Sequence, residues 1–473
     1  MINENNYLHH KDEVIRYCAD DCISLYQILV KFNDLFMENF NINIKNYPTL
    51  PSLTFANFRS NYLEKDQIAQ ITGKIYQDLK QSYTGGSTDM FIPFNNENEK
   101  LYLYDVNSLY PYVMKEHDYP IGSPTYFEGD IYKGYDDPFG IFYCEITSPK
   151  DLLHPIIQTH AKTKGGVRTI SPLGTWKDWI CSPEIENAKK FGYQFKIIKG
   201  YTFEKGNPFN NFIDDLYQLR LNYPKSDPMN YIAKLFMNSL YGRFGMNDNF
   251  DEIRIVDQNL LSKLTEDNNL LIKDIINLGE DYIVQILKNE EQELISLIDN
   301  LNEKHNINIA IASFVTSYAR IHMSQFKNNK DIKLYYTDTD SLIVNKELPN
   351  DMVNDKILGK FKLEHVIKKA IFLASKLYCF VNENDELITK TRGLSHEIKL
   401  DYNDFSNLLF KDSSIIKYQS KWFKNIYEGT IRIDELPYNI KYTDNKRKLI
   451  FIDNKLANTT PFIINNKKEI INL

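Results

Sequence analysis

Three acidic residues stand in short extended segments where a metal ion would be expected. Asp105 ends the alternating segment 100–105, and Asp338 and Asp340 lie in the polar turn of segment 333–344. Residues i and i+2 of an extended backbone point to the same side, so the second and third carboxylates would repel each other unless a cation lay between them. The flanking residues are apolar, which makes an unpaired charge costly. Magnesium, a hard cation with oxygen ligands, would resolve this conflict.

Each acidic site also has a purely structural interpretation. Asp105 can cap a helix or form an Asx-turn, and the Thr-Asp-Thr-Asp segment can be a solvated hairpin tip. The residues alone leave these alternatives open.

A third signal is a polar face on the predicted helix 229–244. Lys234, Asn238 and Tyr241 share this face at i, i+4 and i+7, and Gly242 follows directly. A cation, an amide and an aromatic ring suit a phosphate and a base lying along the helix. Phosphoryl transfer needs cations on the attacking and leaving oxygens and positive groups on the phosphates, which the three sites together could supply. The alternative is a solvated helix face.

The hydrophobic pattern predicts the elements that must position these residues. The predicted helices cover 12–40, 54–80, 209–222, 229–244 and 309–326. The predicted strands cover 100–105, 140–147, 371–381 and two short strands within 333–344. We also expect a loop- and strand-rich region at 151–207, a helical insertion at 247–304, and a tail of alternating short strands and helices.

The distribution of charge is more informative than the net charge of −7. Residues 247–304 hold 14 acidic and five basic residues, whereas residues 360–473 hold 20 basic and 14 acidic residues. The basic C-terminal third is compatible with a nucleic-acid partner. The five scattered cysteines predict neither a disulfide framework nor a zinc site. The sequence has no apolar run of 18 residues, so no membrane partner is expected.

Three motifs together resemble those of family B DNA polymerases. DVNSLYP at 105–111, KLFMNSLYG at 234–242 and YTDTDS at 336–341 are similar in sequence and order to motifs A, B and C of that family. The SLYP and NSLYG forms and the long insertions resemble the protein-primed branch, which includes polymerases of phages and linear mitochondrial plasmids. The resemblance covers roughly residues 12–395.

The resemblance implies an α+β fold with the polymerase right hand: an antiparallel palm sheet with helices, helical fingers and a small thumb, preceded by a truncated exonuclease remnant. The implied domains are the exonuclease remnant at 1–80, the palm start with a first branch-specific insertion at 81–208, fingers at 209–246, a second, acidic insertion at 247–308, palm at 309–395 and thumb at 396–473. The insertions would serve terminal-protein binding, strand displacement and processivity.

The resemblance also implies roles for residues around the metals. Asp105 and Asp338 would bind two Mg²⁺ ions, with the Val106 carbonyl as a further ligand. Asp340 would support the metal site or the primer end. Tyr110 would lie under the sugar and reject a 2′-hydroxyl by its bulk.

Motif B and the helix before it would bind the incoming nucleotide. Arg220 and Lys234 would grip triphosphate oxygens, whereas Asn238 and Tyr241 would line the nascent base pair. For Arg220, an ordinary surface charge on a helix is the alternative.

Shorter motifs would contact DNA. YTGG at 83–86 resembles a linker motif that touches the template. TSYAR at 316–320 resembles a motif that contacts DNA or the terminal protein, and KLY at 376–378 resembles a motif that holds the primer. The DNA-binding residues implied in this way, with the glycine that ends motif B, are Tyr83, Gly85, Gly86, Gly242, Thr316, Arg320, Lys376 and Tyr378.

An exonuclease motif is represented only in part. YCADD at 17–21 resembles the third exonuclease motif through Tyr17 and Asp21, but the 16 residues before Tyr17 contain no Asp-x-Glu. The sequence therefore predicts at most a remnant, either a fragment of a longer frame or a degenerate copy, without 3′–5′ proofreading. An exposed Tyr and Asp on a helix are the structural alternative.

The implied function is a DNA-directed DNA polymerase that uses two Mg²⁺ ions, with Mn²⁺ as a substitute, in protein-primed replication of a linear plasmid or virus. Its expected partners are a DNA template-primer, deoxynucleoside triphosphates and a terminal protein. The expected location is the mitochondrion, with a viral or cytoplasmic plasmid as the alternative.

Two rival functions are considered. RNA-copying polymerases usually carry adjacent aspartates, whereas Thr339 separates the pair here, and the bulky Tyr110 favours deoxynucleotides. A relic that binds DNA without turnover is the other rival.

Overall fold

The computed structural model describes residues 7–47, 49–163, 166–246, 252–266, 271–277, 279–287, 308–425 and 430–471. Its helices are α1 Tyr7–Phe40, α2 Leu50–Asn61, α3 Gly73–Lys80, α4 Leu109–Glu116, α5 Ser182–Lys189, α6 Asn210–Asn222, α7 Pro228–Phe244, α8 Gln258–Glu266, α9 Ile309–Ser324 and α10 Tyr402–Asn407.

The strands of the first half are β1 Thr88–Met90, β2 Leu101–Val106, β3 Tyr119–Glu128, β4 Gly140–Thr147, β5 Thr159–Thr163, β6 Gly166–Ile170, β7 Leu173–Cys181 and β8 Gln194–Gly206. Those of the second half are β9 Glu252–Asp257, β10 Leu271–Asn277, β11 Asp281–Leu287, β12 Leu334–Asp338, β13 Ser341–Val344, β14 Phe361–Ala374, β15 Leu377–Asn382, β16 Leu387–Thr391, β17 Ile415–Asn425, β18 Thr430–Ile440, β19 Arg447–Ile452, β20 Lys455–Pro461 and β21 Ile463–Ile464.

The chain forms two compact units. One consists of Met1–Gln67 and Pro208–Arg243, and the other of Ile68–Asn207 and Phe244–Leu473. The first unit therefore joins most of the predicted exonuclease remnant to the predicted fingers, while residues 68–80 belong to the second unit.

Aromatic side chains form the core of the first, helical unit. Phe36 of α1 and Phe236 of α7 have ring centroids 5.0 Å apart, and Phe58 of α2 and Phe212 of α6 have centroids 5.6 Å apart. Three apolar residues form a stripe along α7, and each of them is fully buried: Ala233, Met237 and Leu240. This stripe leaves the neighbouring polar face of α7 outside the core.

The second unit contains the sheet that carries the acidic residues. Its strand order is β1-β12-β13-β2-β14-β15-β16, and every pair is antiparallel. Strands β12 and β13 are joined by the two-residue turn Thr339–Asp340. Large apolar residues such as Tyr336 and Phe372 are fully buried in the core of this sheet.

A second sheet in the same unit lies within the predicted first insertion and at the C-terminus. Its order is β21-β7-β4-β8-β3, with β21 and β7 parallel. Helix α5 follows β7 directly and buries Ile185 and Ala188 in the core of this sheet. Smaller two-stranded sheets are formed by β5 with β6, β17 with β18, and β19 with β20.

The helical prediction for residues 247–304 is wrong for the described part. Residues 252–287 contain an antiparallel sheet in the order β10-β11-β9 with the single helix α8. Val284 and Ile286 alternate along β11 and pack with Val256, Leu261 and Leu264 in a separate small core. This period of two specifies a strand with one buried face, and the high content of acidic and Asn residues obscures it.

Two other predicted elements are divided. The predicted strand 371–381 is a hairpin of β14 and β15 that turns at Ser375 and Lys376, whose φ of +60° reverses the chain. The predicted helical region 54–80 consists of α2 and α3. The region 151–207 contains α5 among its strands, and the tail is mostly strands with the short helix α10.

Among the residues that the structure describes, no helix has both the length and the apolar character needed to cross a membrane.

Candidate active site

Asp105 and Asp338 lie in one row across the seven-stranded sheet, whereas Asp340 lies in the turn between β12 and β13. Thr88 of β1 pairs with Asp338 of β12, Asp338 with Ser341 of β13, Ser341 with Asp105 of β2, and Asp105 with Lys362 of β14. Directly paired residues of neighbouring strands point to the same face of a sheet. The side chains of Asp105 and Asp338 therefore share a face, with only the small Ser341 between them.

The spacing of the strands sets the distance between these two carboxylates. Neighbouring strands lie about 4.8 Å apart, so the Cα atoms of Asp105 and Asp338 are about 10 Å apart across two steps of the ladder. The Asp338 carboxylate accepts hydrogen bonds from Thr88 and Lys376. Asp105 and Asp338 would hold divalent ions from the two sides of Ser341, and such ions would supply positive charge to the reacting phosphate oxygens.

The turn between β12 and β13 is held from both sides. The Thr339 N–H donates to the Ser87 carbonyl at 2.9 Å, and the Val106 N–H donates to the Asp340 carbonyl at 2.8 Å. Thr339 has a φ of +60°, a left-handed conformation that costs a β-branched residue free energy. These hydrogen bonds tie the turn to the loop before β1 and to the end of β2.

A lysine side chain already compensates one carboxylate. The Lys376 Nζ lies 2.7 Å from each oxygen of Asp338, whose side chain is 18% exposed. The Lys376 N–H donates to the Tyr336 hydroxyl at 2.7 Å, which fixes the β14–β15 turn beside β12. Burial, with a smaller effect of the Asp338 charge, raises the pKa of Tyr378 to about 12, so this phenol stays neutral.

The donor set fits a divalent metal. Two carboxylates on one sheet face offer hard oxygen ligands, and the ammonium group at Asp338 marks a position where positive charge is favourable. Within the described ranges, no three His, Cys, Asp or Glu side chains are grouped closely enough to hold a metal by themselves. A bound ion would therefore complete its coordination with groups from outside the acidic row, such as substrate phosphates and water.

The predicted template loop packs against the turn. A Cβ atom added to Gly86 would lie 2.6 Å from the Thr339 Cγ2, so only glycine permits this approach, whereas Gly85 has no atom within 4 Å of such a Cβ. The Tyr83 ring lies against Gly245. Burial raises the pKa of Tyr83, although Arg320 acts in the opposite direction.

Thr316 and Arg320 were predicted to contact DNA or a terminal protein, but both are buried. Thr316 is 1% exposed and donates to the carbonyls of Ala312 and Ser313 within its own helix α9. Arg320 is 7% exposed and forms an ion pair with Glu184. Both side chains are thus engaged in the interior of the protein, and their contact with DNA or a terminal protein stays a prediction.

The segment after Asp105 is anchored by its backbone. Asn107 donates from its N–H to the Lys360 carbonyl at 2.9 Å and from its side chain to the Asn354 carbonyl at 2.5 Å. Ser108 has a φ of +52° and precedes α4, whose second residue is the half-buried Tyr110. The chain thus turns sharply after β2 and places Tyr110 in the first turn of α4, five residues after Asp105.

The predicted nucleotide-binding residues belong to the helical unit. Lys234 is exposed on α7, and Asn238 and Tyr241 are half-buried on the same side of this helix. Asn238 donates to the Lys234 carbonyl at 2.9 Å. Gly242 is exposed, with no atom within 4 Å of an added Cβ, so packing of the described protein does not require a glycine there. Arg220 is half-buried near the end of α6.

Tyr17 and Asp21 lie one turn apart on α1, and both are exposed. Tyr17 has 68% of its surface accessible. The structure therefore brings the two residues of the exonuclease-like motif to one face of a helix, as their spacing predicts.

Several residues near the turn were missed by the sequence interpretation. Ser87 and Thr88 directly follow YTGG, and Thr88 donates to Asp338 at 3.0 Å, so extending that motif by two residues would have found them. Lys327 donates to the Ser87 hydroxyl at 3.1 Å. Glu184 has no local signal, since it is one of 63 acidic residues in a chain whose motifs lie elsewhere.

Comparison with solved structures identifies the fold. Phi29 DNA polymerase in its orthorhombic crystal form superimposes with a TM-score of 0.63 at 22% identity, covering 83% of this chain and 68% of that one. Phi29 DNA polymerase complexed with primer-template DNA gives a TM-score of 0.62 at 20% identity and covers 67% of that chain. The α+β right-hand polymerase fold expected from the motifs is therefore confirmed.

A sequence comparison then gives the family. Residues 2–332 match the model of DNA polymerase type B, organellar and viral, so the chain belongs to this family. A "Probable DNA polymerase" of Ascobolus immersus is 38% identical over 99% of this chain, which spans 38% of that relative. One of Neurospora intermedia is 38% identical over 90% of this chain, which spans 44% of that relative.

Phage relatives are more distant. The DNA polymerase of Streptococcus phage Cp-1 is 28% identical over 72% of this chain, which spans 58% of it. The chain thus spans less than half the length of the two fungal relatives and somewhat over half of this phage relative.

Proposed function

We propose that this chain is a DNA-directed DNA polymerase that adds deoxynucleotides to a primer by two-metal phosphoryl transfer. The observation that carries the proposal is the row Asp338–Ser341–Asp105, in which motifs A and C meet on one sheet face. Family membership and the right-hand fold support the same activity. The expected substrates are a DNA template-primer and deoxynucleoside triphosphates.

Asp105 and Asp338 would hold two divalent ions, with Mg²⁺ expected and Mn²⁺ as a substitute. When bound, such ions neutralise the charge that develops on the attacking and leaving oxygens. The primer 3′-hydroxyl forms the new bond to the α-phosphorus, and the bond to the departing pyrophosphate breaks in line with it. Lys376, which lies at Asp338, would hold the primer end at the site of attack.

The remaining roles follow the motifs. Tyr110 would lie under the sugar, Arg220 and Lys234 would bind triphosphate oxygens, and Asn238 and Tyr241 would line the base pair. Tyr83, Gly85 and Gly86 would meet the template. Positive side chains on the phosphates are needed because phosphoryl transfer depends on charge stabilisation and positioning.

We further propose protein-primed replication of a linear plasmid or viral genome, with a terminal protein as partner. The relatives from fungi and phages support this genetic origin. A mitochondrial location is proposed for the plasmid case.

The substitution Asp338→Asn tests the activity in a primer-extension assay. Removing one charge from the metal site should lower the extension rate by more than about a hundredfold, the upper range for losing a supporting group around a metal. Asp412→Asn, an exposed residue far from the acidic row in sequence, should extend like the wild type.

The wild-type control decides between the proposal and its rival. Extension by the wild type but not by Asp338→Asn supports a polymerase. If neither protein extends a primer while both bind duplex DNA, the chain is instead an inactive relic.

A further inference from the structure

A buried ion pair connects the first insertion to the template loop. Glu184, on α5, is 6% exposed and Arg320, on α9, is 7% exposed. The Arg320 Nε donates to one oxygen of Glu184 at 2.8 Å, and Nη2 donates to the other at 2.7 Å. The Ser317 hydroxyl also donates to Glu184 at 2.8 Å. The carboxylate is thus fully engaged from one helix.

The third arm of the guanidinium group holds the loop. Its Nη1 donates to the carbonyls of Thr84 at 2.6 Å and Gly85 at 3.1 Å. Arginine presents its donors in a rigid planar fork, so fixing two nitrogens on a carboxylate also fixes the direction of the third. Glu184 thereby determines where Arg320 places the loop backbone.

This loop contacts the acidic turn, which consists of Thr339 and Asp340 between β12 and β13. Gly86 packs against the Thr339 side chain, and the next carbonyl, of Ser87, accepts the Thr339 N–H at 2.9 Å. Thr339 is flanked by Asp338 and Asp340. A continuous series of contacts therefore joins Glu184 to the carboxylates, although Glu184 itself touches none of them.

We propose that Glu184 is a positioning residue for the acidic turn, acting through Arg320 and the 83–87 loop. The inference rests on the proposed polymerase function only for its effect on rate. Its structural part, that loss of the Glu184 charge loosens the turn, stands independently.

The charge of Glu184 is needed because Arg320 is buried. Burial alone would lower the pKa of Arg320, but the adjacent carboxylate outweighs this effect and raises it. A neutral amide at position 184 would leave a buried cation without its counter-charge, and Arg320 would then turn toward water. Its hold on the Thr84 and Gly85 carbonyls would be lost.

Hydrogen–deuterium exchange of Glu184→Gln tests the structural part without DNA or metal. Amides in 336–341 should exchange at least about tenfold faster than in the wild type, while those of 252–287 are unchanged. Glu184→Asp, which keeps the charge, should restore most of the protection. Glu186→Gln is the matched control, because Glu186 lies on the same helix in an exposed ion pair with Lys189.

Primer extension tests the functional part. In Glu184→Gln the Mg²⁺ concentration for half-maximal rate should rise and the rate should fall by up to about a hundredfold, the cost of a misplacement near 1 Å. The dissociation constant for duplex DNA should change less than the rate, because Glu184 itself meets no DNA and the 83–87 loop that it supports keeps its template-facing residues. A tenfold weaker affinity for DNA with normal exchange in 336–341 would overturn the proposal in favour of a binding role.

The two proposals fail in different ways. A wild type without extension activity refutes the proposed function, yet faster exchange in Glu184→Gln would still support the positioning role. Normal exchange together with normal extension refutes only the positioning role. If Glu184→Gln does not fold, Arg320→Lys replaces it: a lysine can pair with Glu184 but cannot also reach both carbonyls, so the same faster exchange is expected.

Discussion

At the acidic turn, the available space and the backbone conformation determine which residue type is allowed at single positions. Gly86 is required because Thr339 occupies the position where a side chain would lie, and Thr339 itself has a left-handed φ. Gly85, its neighbour, faces open space. Two adjacent glycines of one motif thus have different reasons to be glycine, and only the structure separates them.

Gly86→Ala should destabilise the protein by about 1–3 kcal/mol, the usual cost of forcing extra atoms into a packed site. The clash with Thr339 should also displace the turn and slow primer extension. Urea unfolding and extension rates measure both effects. Gly85→Ala should leave the free energy of unfolding close to the wild-type value, and Thr339→Gly in the Gly86→Ala background should restore stability. Equal destabilisation by both alanine substitutions would contradict this account.

Buried charges next to the turn are a second feature at the residue scale. Lys327 and Asp89 are both buried, and the Ser87 hydroxyl donates to Asp89 at 2.5 Å. Burial lowers the pKa of Lys327 to about 8, while Asp89 opposes this shift. Stability should therefore depend on pH in the alkaline range.

The direction in which the free energy of unfolding changes with pH follows from the number of protons bound by the folded and unfolded chains. Between pH 8 and about 10.4 the unfolded chain, with an ordinary lysine, binds more protons than the folded one, so the Lys327 contribution raises the free energy of unfolding by up to about 1.4 kcal/mol per pH unit. We expect the wild type to gain stability relative to Lys327→Met between about pH 7.5 and 9.5 in urea unfolding. Lys330→Met, at an exposed position, should show a constant difference from the wild type.

At the scale of elements, the acidic insertion has a core of its own. The buried residues of β9, α8 and β11 contact one another in a separate hydrophobic cluster. An element with a separate core can unfold locally without loss of the main sheet. The insertion is therefore expected to behave as an independent stability unit.

Val284→Asp should unfold this unit selectively, because Val284 is fully buried and an unpaired buried charge costs several kcal/mol. Amides of 252–287 should lose exchange protection, while those of β2 and β12 keep theirs. Ile255→Asp is the control, since Ile255 is 70% exposed on the same sheet. Loss of protection throughout the chain would show that the insertion is instead part of the main cooperative unit.

At the scale of the whole molecule, charge is separated along the chain. The acidic insertion accounts for more than the full net charge of −7, and the C-terminal third is basic. A polymerase that tracks DNA through phosphate contacts needs such a region, because releasing counterions drives binding. The net charge alone would have argued against a nucleic-acid partner.

DNA affinity should accordingly fall steeply with salt. Between about 50 and 200 mM salt we expect a loss of about a thousandfold or more, as six to ten phosphate contacts produce. Replacing the exposed Lys421 and Arg432 of the β17–β18 hairpin by Gln should reduce the slope by about one unit each if they meet phosphates. Lys263→Gln in the acidic insertion should leave the slope of DNA affinity against salt unchanged. A wild type whose DNA affinity does not depend on salt would contradict phosphate contacts by the basic C-terminal third.

Local pattern in the sequence was sufficient for helices α1, α6, α7 and α9 and for the motifs. Each of these signals depends on residues within a few positions of each other. Examples are the apolar stripe of α7, strand β2 with Asp105, and the two strands around the Thr-Asp-Thr-Asp turn. Such patterns predict helices and strands without knowledge of the fold, because backbone geometry imposes their periods directly. The fold class and the polymerase family followed from three motifs in order.

Long-range register was decided only by the tertiary structure. The row from Thr88 through Asp338 and Asp105 to Lys362 joins strands that are distant in sequence. The Glu184–Arg320 pair spans 136 residues and gives Arg320 an internal partner that its motif does not predict. No local pattern encodes such meetings, because they result from how sheets and helices bury their apolar faces together, and a charged residue shows its partner only once the chain has packed around it.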